Sequence, residues 1–172
     1  MRTVLAITVF AVCALTAGAQ EPAVYESKEG KFVAKFPTQP GTIVSTAKVK
    51  AAGQEVALCT SDKGALAFTV GYADLTAEAL KDSPAPKVLE KSEQGLTAQT
   101  KAKVLTAKPT VYKTGGKEYP AREVVCERDG LQMRFLLVLA ETRLYQVFVI
   151  GAKDAIASKE ADAFFASFEI RN

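Results

Sequence analysis

"LQMRFLLVLAETRLYQVFVI", Leu131 to Ile150, is the stretch that decides the fold. Leu131, Met133, Phe135, Leu137 and Leu139 fill one face of an alternating run, while Leu136 and Val138 occupy the other. After a tight connection at Glu141-Thr142, Leu144, Phe148 and Ile150 oppose Tyr145, Val147 and Val149 in the same two-sided way. A period of two reads as strand, and strands apolar on both faces lie in the middle of a sheet covered on both sides. The segment is therefore a central antiparallel hairpin with one layer above it and another below.

Outward from that hairpin, turn signals place the neighbouring strands. Asp129-Gly130 connects back to a strand at 119–128, and Gly115-Gly116 connects that one to a strand at 103–113. Further upstream, Leu66, Phe68, Val70 and Tyr72 point one way while Ala65, Ala67, Thr69 and Gly71 point the other. Strands at 42–50 and 55–60 precede it, separated by Ala51-Ala52-Gly53, with a hairpin connection at Asp62-Lys63-Gly64. The first strand, 31–36, lies in "GKFVAKFPTQPG": Phe32, Ala34 and Phe36 alternate, Pro37 stops the ladder because it has no N–H, and Pro40-Gly41 turns the chain. This reading puts the strand in the sheet, near an edge.

Two helical segments complete the layers. A short turn at 76–81 leads through Ser83-Pro84-Ala85-Pro86 into a helix at 87–101, with Val88, Leu89 and Leu96 on one side and Gly95 weakening it. A closing helix at 155–167 carries Ala161, Phe164, Phe165 and Phe168 at helical spacing. The sum is an α+β domain: a mainly antiparallel sheet of six to eight strands, with a mid-chain helix and a C-terminal helix packed on it.

The amino terminus reads as an export signal. Arg2 is followed by an apolar run of about 13 residues from Val4 to Thr16, and Ala17-Gly18-Ala19 before Gln20 is a small-x-small cleavage pattern. A retained membrane anchor would need roughly 20 apolar residues. A lipidated Cys13 would want a small residue where Val12 stands. Residues 1–19 are thus a cleaved signal peptide, residues 20–172 a single domain, and the location periplasmic or extracellular, with no membrane span in the mature chain. Loss of Arg2 leaves 21 Lys and Arg against 19 Asp and Glu, a balance too mild to point to nucleic acid.

The residue inventory excludes whole classes of chemistry. There is no histidine, so Ser-His and Cys-His nucleophile systems are absent along with the commonest metal ligand. Glu118, Glu123, Glu127 and Asp129 cluster about a hairpin, where carboxylates are ordinarily solvated charges. No Asp-x-Asp-x-Asp-Gly loop is present, and Gly115-Gly116-Lys117 lacks phosphate-loop spacing. No catalytic residue, cofactor or metal ligand is assigned. Cys59 and Cys126 are either a disulfide, closing a loop of about 68 residues worth roughly 4 kcal/mol, or two small buried hydrophobes. The polar residues to watch are Arg122, Arg143, Tyr145 and Gln146, which stand on otherwise apolar central strands; they line a pocket or satisfy carboxylates at the sheet margin, such as Glu123 or Glu141.

Four phrases carry a family resemblance. "GKFVAKFPTQP", "EYPAREV", "RLYQVFVIG" and "ADAFFASFEI" resemble, in that order, segments of a family of secreted bacterial proteins of unknown function, over about 25–170. Ala121 departs from that pattern, standing where the family has a glycine before Arg122. The family is similar in layout to the Mog/PsbP-like fold, a frame shared by photosystem accessory proteins, a Ran-binding protein and envelope lipoproteins. The resemblance implies an antiparallel sheet flanked by helices and no shared catalytic centre, so it transfers no site residue.

Together these features lead to an exported, non-enzymatic domain that binds a partner protein or a small apolar, lipid-like ligand, with a groove between helix 87–101 and the sheet as the expected site. The alternatives are an envelope structural or assembly factor with no small ligand, and an enzyme working without histidine.

Overall fold

The computed structural model describes residues 22–37, 45–51, 54–63, 66–81 and 83–171. The export signal at 1–19, the turn at Pro40-Gly41 and Gly53 and Gly64 of the next two turns lie outside the described residues. The chain forms β1 (Ala23–Ser27), β2 (Phe32–Phe36), β3 (Ser45–Ala51), β4 (Gln54–Lys63), β5 (Leu66–Asp74), α1 (Ala77–Leu80) and α2 (Ala85–Thr100). It continues through β6 (Lys103–Thr114), β7 (Lys117–Arg128), β8 (Leu131–Ala140), β9 (Arg143–Gly151), α3 (Lys153–Ile156), α4 (Lys159–Ser167) and β10 (Glu169–Ile170). The protein is an α+β domain. Seven antiparallel strands run in the order β3-β4-β5-β9-β8-β7-β6, and a second sheet runs β1-β2-β10.

The quoted hairpin, β8–β9, lies inside the large sheet with register Leu136 opposite Val147 and Leu139 opposite Leu144. Both its faces are buried because both are apolar. On one face Val88 and Leu89 of α2 meet Val124, Cys126, Phe135, Leu137 and Leu144. Pro86 opens α2, and Lys101 closes it in the left-handed conformation (φ 54°). On the other face Phe68, Val70, Val138, Tyr145 and Val147 pack against α3, α4 and the small sheet.

Two expectations need correction. The strand at 31–36 is not an edge of the large sheet: β2 is the middle strand of the small one, between β1 and β10. Alternating Phe32, Ala34 and Phe36 are fully buried, and that pattern fits any half-buried strand, whichever sheet owns it. The closing helix is broken in two at Ala157-Ser158, because the Ser158 hydroxyl accepts the Ala161 N–H at 3.3 Å and restarts it as α4. Phe164 then sits between the sheets, 5.2 Å from Phe36 and 5.3 Å from Phe68 by ring centroid. Such aromatic pairs add about 0.5–1.5 kcal/mol beyond their area.

A bridge between Cys59 and Cys126 is incompatible with this topology. Cys59 pairs with Val70 on β4, whereas Cys126 is on β7, with β5, β9 and β8 intervening. Four strand spacings amount to about 19 Å, far beyond the 7 Å or so that a disulfide spans between Cα atoms. Cys126 is a free, fully buried thiol.

Candidate functional site

The polar residues of the central strands divide between the two faces. Arg122 and Gln146 lie in one register row, through Leu137, on the α2 face. There the Arg122 Nε donates to Glu93 of α2, a buried carboxylate, so its partner is not the neighbouring Glu123. The space between α2 and the sheet is filled by Val88, Leu89, Phe135, Leu137 and Leu139. An apolar groove was expected there, and close-packed side chains occupy the place instead.

Arg143 and Tyr145 face the other way and line a cleft of about 380 Å³. Its shape comes from strand lengths. Pro120 has no N–H, and the β7–β8 ladder starts at Ala121 opposite Val138. The β6–β7 hairpin nevertheless extends to Thr114 opposite Lys117, while β8 continues through Leu139 and Ala140, paired to β9. Lys117 and Tyr119 line the cleft from the overhanging hairpin, and Ala140, Glu141 and Thr142 from the β8–β9 turn. Asp74 joins at the end of β5, Lys31 ahead of β2, and Ile170 and Arg171 at the chain's end.

At the bottom is a clamp. Arg143 grips Asp74 with two hydrogen bonds of 2.7 Å, donates at 2.8 Å to the Glu29 carbonyl, and lies 5.1 Å from the Tyr72 ring centroid. The Tyr145 hydroxyl donates at 2.8 Å to the Gly30 carbonyl, and the Arg171 N–H donates at 2.8 Å to that of Lys31. The Arg143 and Tyr145 bonds fasten the β1–β2 connection to the large sheet, and the Arg171 bond ties it to the residue after β10 of the small sheet. They hold Lys31 at φ 51°, and Glu141 in the facing turn is at φ 55°; side chains other than glycine and asparagine adopt that region at a cost.

The clamp also sets the ionisation states. The Arg143 hydrogen bonds hold the Asp74 carboxyl below its ordinary value, against an opposing effect of burial, with Lys31 assisting. The same bonds raise Arg143. Burial pushes Tyr145 up, partly offset by Arg143. All three shifts move these groups away from neutrality, opposite to what a general acid or base needs.

The hairpin carboxylates do not form an acid pair. Glu118 meets Lys113 at 2.5 Å, Glu123 meets Lys108 at 2.9 Å, Asp129 meets Arg128 at 2.8 Å, and Glu127 accepts from Gln132 at 3.2 Å. Among the described residues no group of three or more His, Cys, Asp or Glu side chains is placed to hold a metal ion. Sequence reading named Arg143 and Tyr145 but missed Lys31, Asp74, Lys117, Tyr119 and Arg171, which come from distant stretches that only the register brings together.

No family model matches the chain, and no curated protein does. Its fold is similar to that of the cyanobacterial PsbP protein CyanoP of Synechocystis, whose solution structure aligns with a TM-score of 0.59 over 90% of this chain and 95% of that one, at 13% identity. A crystal structure of PA94, a protein of unknown function from Pseudomonas aeruginosa, aligns with a TM-score of 0.40 over 86% of this chain and 94% of that one, at 12% identity. The first likeness establishes a PsbP-like fold, and at that identity it establishes the fold alone.

Proposed function

We propose that the chain is an exported, non-enzymatic domain that binds a partner protein of the cell envelope through the cleft above Arg143. The observation that carries this reading is the clamp. The polar groups at the floor of the cleft are already spent on Asp74, Glu29 and Gly30, and their ionisation is driven away from neutral pH. What remains around the rim is a charged surface suited to contact, with no nucleophile beside a base. Export rests on Arg2, the apolar run and Ala17-Gly18-Ala19, and the mature domain then starts at Gln20. A small apolar ligand is the weaker reading, since the space under α2 is filled. An assembly factor is the same reading without a small ligand.

The test uses the mature chain immobilised and presented with detergent-solubilised envelope from the source cell. A discrete partner should be retained by the natural chain and lost when Thr142, exposed on the rim, is replaced by Trp. Retention of the same partner by Thr142→Trp, or no retention by the natural chain, would contradict the proposal. Intact mass of the secreted protein checks export, with Gln20 as the expected first residue.

A further inference from the structure

We propose that the outer edge of β6 pairs with the same edge of a second copy of this chain, antiparallel about a two-fold axis at Thr110, so that two large sheets join into one. The inference is independent of the cleft reading, since no residue of β6 lines that cleft. β6 is the last strand of the large sheet, paired to β7 on one side and, among the described residues, to no strand on the other. The register says which backbone groups are left over. Thr114 and Lys117 flank the two-residue loop Gly115-Gly116, whose glycines both have positive φ, and the residues closing such a loop exchange both their hydrogen bonds. Counting back by twos, Tyr112, Thr110, Lys108 and Thr106 bond to β7, while Lys113, Val111, Pro109 and Ala107 turn their backbone groups outward. Pro109, which has no N–H to give, falls in the outward set.

Sheet edges are ordinarily kept apart by lysine charge, proline and bulges. Here Lys108 meets Glu123 at 2.9 Å and Lys113 meets Glu118 at 2.5 Å, both carboxylates on β7, so these charges are neutralised within the protomer. The register irregularity lies at Val104/Thr106, and from Thr106 to Thr114 β6 pairs regularly with β7. Thr110 is the midpoint of that regular run. Antiparallel pairing about it sets Lys108 opposite Tyr112 and Lys113 opposite Ala107, so no lysine faces another. It sets Pro109 opposite Val111, a large apolar side chain left 53% exposed in the monomer. Ala107 and Lys113 then exchange both bonds, and Val111 donates to the Pro109 carbonyl. The missing proline N–H leaves only the Val111 carbonyl open. An edge that is complementary to itself in this way suits the isologous symmetry of a homodimer.

Sedimentation equilibrium of the chain from Gln20 should show a reversible monomer–dimer equilibrium. Val111→Pro removes an outward N–H and, like Pro109, none that β7 uses; it should weaken the dimer at least tenfold and leave the melting temperature of the dilute monomer unchanged. The register is read independently by Thr110→Cys, whose side chains would face each other across the axis in a non-hydrogen-bonded pair with Cα atoms about 4.5 Å apart. Mild oxidation should trap that variant as a disulfide dimer well above the background of the natural chain, and should trap Val111→Cys at least fivefold less. A natural chain that stays monomeric at millimolar concentration, an equally tight dimer in Val111→Pro, or equal trapping at positions 110 and 111 would overturn the inference. So would hydrogen-exchange protection of the Val111 and Lys113 amides that arises only when envelope extract is added, which would assign the edge to a strand from another protein.

Discussion

Gly30 shows how tightly the β1–β2 connection is packed. A Cβ built there would come within 2.7 Å of the Ser27 hydroxyl and Tyr72, and 2.8 Å of Phe32. Gly30→Ala should therefore destabilise by about 1–3 kcal/mol, the usual range for overpacking, as read from the urea midpoint. Tyr145 acts on the same backbone. Tyr145→Phe keeps the ring and leaves the Gly30 carbonyl without its buried donor, which should cost about 1–2 kcal/mol. Cys126 is inert for a stated reason: burial and the nearby Glu93 push its thiol up to about 11. It should resist maleimide at pH 7.5 in the native protein and react after denaturation; rapid native labelling would contradict its burial. That the two cysteines sit four strands apart could not be read from their spacing, because spacing says nothing of strand order. Arg143 and Tyr145, by contrast, were legible as polar groups on apolar strands, whereas Asp74 and Lys31 gave no signal in their own neighbourhoods.

At the scale of elements, patterning was most informative where both faces are buried. β8 and β9 declared themselves as central because no polar face interrupts them. β1 did not, since its first four residues alternate half-buried with exposed and its buried fifth is the polar Ser27, and β10, two residues long, has no period to read. Both exist because β2 offers them a ladder: Tyr25 pairs with Ala34 on one side and Glu169 with Val33 on the other. Helix α2 illustrates a local choice with a testable size. Gly95 has open space around its missing Cβ, so Gly95→Ala removes a helix-interior penalty and should stabilise by about 1 kcal/mol. A loss of stability would show that something approaches the α2 backbone at that point.

Over the whole molecule, two cores share one sheet, and the polar clamp joins the smaller sheet to the larger. Asp74 couples that junction to pH. Its carboxyl is held below the ordinary value of 3.8, so at acid pH the unfolded chain binds the proton more readily than the folded one. The contribution is complete above about pH 4 and is lost as pH falls through the folded value. Denaturation midpoints between pH 7 and 3 should show an acid limb that is shallower in Asp74→Asn; an unchanged limb would remove Asp74 from the account. At the other end of the scale, none of the clamp shifts brings a group to neutral pH, which is why the cleft is read as a contact surface.

The most direct test of that reading is made in the intact source cell, with a photo-crosslinking residue placed at Thr142 on the rim or at Lys87, exposed on α2, the helix that covers the opposite face. The account predicts one discrete adduct from position 142 and none at the same mass from position 87. The same adduct from both positions, or none from 142, would contradict it.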